Sequence, residues 1–84
     1  MVSFLYILYS KNLDKYYVGH TSNIGERLKS HLYNHSGFTS RAKDWVLVHS
    51  EEFSSKSESQ ARELQIKKWK SKTLIQRLIE EDKD

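Results

Sequence analysis

The chain has 84 residues, 37% of them hydrophobic and 30% charged, with a formal net charge of +3. That length allows one domain with a modest core, and the composition suits a globular chain rather than a disordered one. With no cysteine, disulfide frameworks and thiolate metal sites are excluded, and the mild positive charge is compatible with a phosphate-rich partner without requiring one.

The N-terminal run Met1 to Tyr9 is apolar but too short to span a bilayer. It has neither a basic lead-in nor a cleavage pattern, so the chain is expected to stay in the cytoplasm, away from membranes. Within this run, Ser3 to Tyr9 is rich in aromatic and β-branched residues and predicts a strand. Lys11 to Lys15 is a polar turn, and Tyr16-Tyr17-Val18-Gly19 reads as the returning strand of a hairpin. Thr21 or Ser22 can cap a helix with Glu26 in its first turn. Ile24, Leu28 and Leu32 then recur at helical spacing.

Asn34 to Lys43 reads as a loop, and Trp45 to Phe53 as a third strand alternating Trp45, Leu47 and His49 against Val46 and Val48. Ser57, with Gln60 three residues on, is the expected capping box of the next helix. Its apolar stripe reads as Ala61, Leu64 and Lys68, with Ile66 and Trp69 beside it. A break at Ser71 to Thr73 precedes a last helix carrying Leu74, Ile75, Leu78 and Ile79. The order β-β-α-β-α-α predicts an α+β fold, a small, mostly antiparallel three-stranded sheet flanked by helices. Residues 1–84 are expected to form a single domain.

Several residues have chemical potential. Tyr6, Tyr9, Tyr16 and Tyr17 crowd the hairpin, although tyrosine also favours strands for packing alone. Arg27 and His31 stand four apart and share a helix face. Glu63 sits between Ala61 and Leu64, at the edge of the apolar stripe.

Together these residues resemble the GIY-YIG nuclease family, in particular its short single-domain bacterial members. Phe4-Leu5-Tyr6 stands where the family has GIY and Tyr17-Val18-Gly19 where it has YIG. The helix arginine of the family falls on Arg27, its accompanying histidine on His31 and its metal-binding glutamate on Glu63, and the resemblance runs from Phe4 to about Leu78. There are two departures: Phe4 replaces the glycine of GIY, and no asparagine lies between Lys67 and Asp84, where larger members use one.

The resemblance implies a metal-dependent endonuclease that hydrolyses DNA phosphodiester bonds in repair or processing, related to the nuclease domain of the excision-repair nuclease subunit. Catalytic roles would fall to Tyr6, Tyr17, His20, Arg27, His31 and Glu63. Glu63 would hold Mg²⁺ (or Mn²⁺), which accepts one or two carboxylates and keeps several waters. Tyr17 is favoured as the base, with Tyr6 orienting the water, and Arg27 would grip the phosphate through its planar fork.

Lys15, Arg41, Lys43, Lys67 and Lys68 are the expected nucleic-acid contacts, and His35 and Phe38 lie in the same loop as Arg41. No sequence-reading module accompanies them, so structure-selective or weakly specific cutting of branched or nicked DNA is expected, with RNA left open. The expected state is a monomer or weak homodimer. The competing readings are a catalytically inactive nucleic-acid-binding module and a protein-interaction module docking through Leu74 to Ile79.

Overall fold

A computed structural model describes residues 2–33 and 42–81, with only the backbone of 31–33. The elements are β1 (Ser3–Ser10), β2 (Lys15–Thr21), α1 (Ile24–Tyr33), β3 (Val46–Phe53), α2 (Lys56–Trp69) and α3 (Lys72–Glu81). The sheet order is β2-β1-β3, antiparallel throughout, as the α+β reading expected.

The central strand, β1, is apolar on both faces because both are covered. Leu5 and Ile7 pack with Val18, Ile66 and Ile79 on the side of α2 and α3. Tyr6 and Leu8 pack with Ala42 and Trp45 on the other side, joined by Ile24 and Leu28 of α1. The sheet is thus the middle layer between α1 and the α2–α3 pair. Among the described residues no helix is long and apolar enough to cross a membrane.

The hairpin turn is held from outside. Asp44 accepts from Ser10 Oγ at 2.6 Å and from the Asn12 backbone N–H at 2.8 Å, and Lys72 of α3 pairs with Asp14. Asp14 takes φ 52°, the left-handed conformation that aspartate tolerates in turns.

Four local expectations are corrected. Asn23 caps α1, accepting from the Glu26 N–H at 3.1 Å, while Thr21 Oγ1 instead braces the Asn23 N–H. The N-cap of α2 is Ser55, whose Oγ accepts from the Glu58 N–H and donates to the Glu58 carboxylate, two residues before the expected Ser57 and Gln60. A left-handed Lys70 ends α2, and Ser71 then caps α3, which starts two residues earlier than Leu74. In β3 the register shifts between Ile7 and Leu8, so Val48 and His49 both turn toward α2 and α3 and Leu47 is exposed.

The inward face of α2 also differs from the expected stripe. Leu64 is 54% exposed, whereas Ser59 and Ile66 are buried and Arg62, Glu63 and Trp69 are half-buried beside them. These five recur at helical spacing, but three of them are polar, so an apolar stripe cannot reveal the face. Each polar member has a partner inside: Ser59 with Ser3 at 2.6 Å, Arg62 with Glu51 at 3.1 Å, and Glu63 with His20. On α3, Ile75, Leu78 and Ile79 pack into the core, leaving Leu74 as the exposed apolar residue of the face suggested for docking.

Ser55→Ala should lower stability by about 1 kcal/mol, since it removes the acceptor for the first-turn amide of α2. A urea melt of the two proteins measures this.

Candidate active site

Gly19 sits opposite Tyr6 in the β1–β2 register, and the Tyr6 ring lies across it. A Cβ at position 19 would stand 2.6 Å from the Tyr6 hydroxyl oxygen and 2.8 Å from Cζ. Tyr6 is only 2% exposed, so the ring has no room to retreat. Gly19→Ala should therefore displace Tyr6 or strain the sheet, at about 1–3 kcal/mol. A lower melting temperature, with changed tyrosine fluorescence, is the expected readout.

Above that glycine, Arg27 of α1 donates from Nε to the Tyr6 hydroxyl at 3.3 Å. The Tyr17 hydroxyl also lies within hydrogen-bonding reach of the guanidinium, and the two tyrosine rings are 6.3 Å apart. Burial pushes the Tyr6 hydroxyl up to about 12, a rise that Arg27 opposes and that Tyr17 and Glu63 reinforce. Tyr6 therefore stays protonated near neutrality.

Across the β2 edge, the next residue after Gly19 carries the second group. His20 Nδ1 donates to Glu63 Oε1, and Lys67 donates to Glu63 Oε2 at 2.5 Å. Burial raises the Glu63 carboxyl, but the bonds from Lys67 and His20 outweigh it and hold the group below the usual carboxylate range. Glu63 thus points at the hairpin as an ionised, half-buried carboxylate. A cleft of about 470 Å³ has both His20 and Arg27 in its wall, together with Ser3, Thr21 and Lys56. The tyrosine–arginine group reaches that wall through Arg27, and the histidine–glutamate group through His20.

Other sequence-derived candidates lie elsewhere. Lys15 is on the Tyr17 face of β2 but at the turn end of the strand, opposite Ser10. Lys43 adjoins Asp44, which binds that same turn, so it too is remote from the His20 end. Lys68 is exposed and stands about 140° around α2 from Glu63. Arg41, His35, Phe38 and the His31 side chain lie outside the described residues. Lys67 was expected only on a phosphate track; its i,i+4 spacing from Glu63 was the signal for the ion pair. Lys56 and Ser3 in the cleft wall gave no signal of their own.

The model of the GIY-YIG catalytic domain matches residues 2–77. The chain belongs to the GIY-YIG family. That family consists of endonucleases, and its nuclease domains act on DNA. The chain is also similar to the UPF0213 protein BH0048 from Bacillus halodurans, whose structure was solved by NMR in solution. Their sequences are 26% identical, with a TM-score of 0.62 over 98% of this chain and 86% of that one. No curated protein matches the chain. Of the residues that the resemblance singles out, Arg27 and His20 line the cleft, while Tyr6 and Glu63 stand behind them, bonded to Arg27 and His20 respectively.

The donor set bears on which metal could bind. Among the described residues no group of three or more histidine, aspartate or glutamate side chains could hold an ion. One ionised carboxylate beside a histidine does not make a zinc site, which needs three or four protein ligands. It does suit Mg²⁺ or Mn²⁺, hard ions that take few carboxylates and fill the remaining positions with water and substrate oxygens.

Proposed function

We propose that this protein is a metal-dependent endonuclease that hydrolyses DNA phosphodiester bonds, selecting structure more than sequence, in DNA repair or processing in the cytoplasm. The observation that carries this reading is the Glu63 carboxylate, turned from α2 onto His20 of the hairpin beside the Tyr6–Arg27–Tyr17 group. Hydrolysis needs an activated water, a held phosphate and charge neutralisation at the departing oxygen. A divalent ion held by Glu63 would supply the last of these.

Arg27 is exposed on the cleft wall and can present its planar fork to a phosphate. Tyr17 is the base. The Arg27 charge stands beside its oxygen, where negative charge would develop. Tyr6, buried and protonated, keeps Arg27 in place and offers a hydrogen bond to the water. His20 is fixed by Glu63 with Nδ1 as donor, which leaves Nε2 to act on the substrate side. His31, on the same helix as Arg27, belongs to the same assignment by motif position.

Lys67 and Lys68 on α2, with Lys15, Arg41 and Lys43, would follow the phosphate backbone. The protein acts as a monomer or weak homodimer. Incubation with branched, nicked and intact duplex DNA, and with structured RNA, in Mg²⁺ and in EDTA, tests the proposal. Metal-dependent cutting, strongest on the branched or nicked forms, is expected; intact substrates throughout would reduce the protein to a binding module.

A further inference from the structure

Both oxygens of Glu63 are already engaged, one by His20 Nδ1 and the other by the Lys67 ammonium at 2.5 Å. The two ends of this ion pair differ in freedom. The Glu63 side chain is 13% exposed, whereas that of Lys67 is 49% exposed and lies one helical turn further along α2. Lysine is a point charge on a flexible four-carbon stem, so it can leave the carboxylate without any movement of the backbone.

From this geometry we infer that Lys67 is an internal competitor for the divalent cation at Glu63, and that nucleic acid relieves the competition. The inference rests on the reading of Glu63 as the metal ligand. An ammonium and a dication on one carboxylate would lie about 4 Å apart in a half-buried setting, where like charges repel strongly. Lys67 must therefore leave Oε2 when a metal enters. Once released, its ammonium is free for a phosphate oxygen, one turn of helix beyond Glu63. A polyanion that draws Lys67 away vacates the carboxylate, so metal and nucleic acid each favour the binding of the other. The free protein holds its metal weakly and is completed by its substrate.

The test is Mn²⁺ binding to the free protein, followed by electron paramagnetic resonance and by calorimetry. The wild type is compared with Lys67→Met, Lys67→Arg and Glu63→Gln. Lys67→Met should bind Mn²⁺ about two- to fivefold more tightly than wild type, the range expected for removing one partly exposed ion pair. Lys67→Arg keeps the charge and should stay near wild type, while Glu63→Gln should lose the site. For duplex DNA, Lys67→Met should bind more weakly, with the salt slope smaller by about one. Equal or weaker Mn²⁺ affinity in Lys67→Met, with the site still lost in Glu63→Gln, would overturn the lysine inference alone. Unchanged Mn²⁺ binding in Glu63→Gln would overturn the metal assignment and the inference with it.

Discussion

Tyr17→Phe is expected to cut DNA about 10²- to 10⁴-fold more slowly than wild type in single turnover, the usual cost of losing a general base. The ring stays and keeps its packing against Tyr6 and the α1-side core, so the loss is chemical. Removing one hydroxyl that hydrogen-bonds should cost about 1 kcal/mol at most. In a domain of this size that lowers the melting temperature by no more than about 4–8 °C. If Tyr17 only builds the core, the rate is unchanged while the melting temperature still falls. Tyr6 is a poor replacement, because burial pushes its hydroxyl up to about 12. A Tyr17→Phe protein that kept its rate would therefore move the base role to His20. Arg27→Lys should also lose rate while folding normally, because a point charge cannot orient a phosphate as a fork does.

Glu63→Gln should abolish cleavage and leave DNA binding nearly intact. The amide keeps the shape of the side chain but loses the charge that would hold Mg²⁺, and it weakens the bonds to His20 and Lys67. The same change has a pH signature. The Glu63 carboxyl is held below its ordinary value of 4.5 in the folded protein. Its contribution to stability is then fully present above pH 4.5 and is lost as the pH falls through the lower folded value. The gap in melting temperature between wild type and Glu63→Gln should narrow over that range. A gap that widened on acidification would mean that the carboxylate is not favourably paired.

Much of this arrangement was legible in the sequence because it follows hydrophobic period and turn chemistry. The hairpin and the first helix followed from the run Ser3 to Tyr9, the polar turn and the helical repeat of Ile24, Leu28 and Leu32. The third strand and the last two helices followed from the run Trp45 to Phe53, the serines before α2 and the spacing of Leu74 to Ile79. Helix α2 resisted the same reading. Its buried face carries Ser59, Arg62 and Glu63, each satisfied by a partner far away in sequence, at Ser3, Glu51 and His20. Periodicity detects apolar residues and so selected Leu64, which points outward. Departures of this kind are expected where a site is built into a helix. The caps were misread for a related reason: several of Thr21, Ser22, Asn23, Ser54, Ser55 and Ser57 could serve, and tertiary packing of the helix decides which does. The bulge in β3 left no mark in the alternation from Trp45 to His49. Residues 34–41 and the His31 side chain lie outside the described structure, so their part in the site rests on the sequence alone.

Cleavage beside Arg27 and His20 should have a strict requirement for both Glu63 and a divalent ion. The most direct test is single-turnover cleavage of one nicked or branched DNA in three reactions: wild type with Mg²⁺, wild type with EDTA, and Glu63→Gln with Mg²⁺. Product is expected in the first reaction and none in the other two, with the DNA bound in all three. Equal product with EDTA, or from Glu63→Gln, would contradict that requirement.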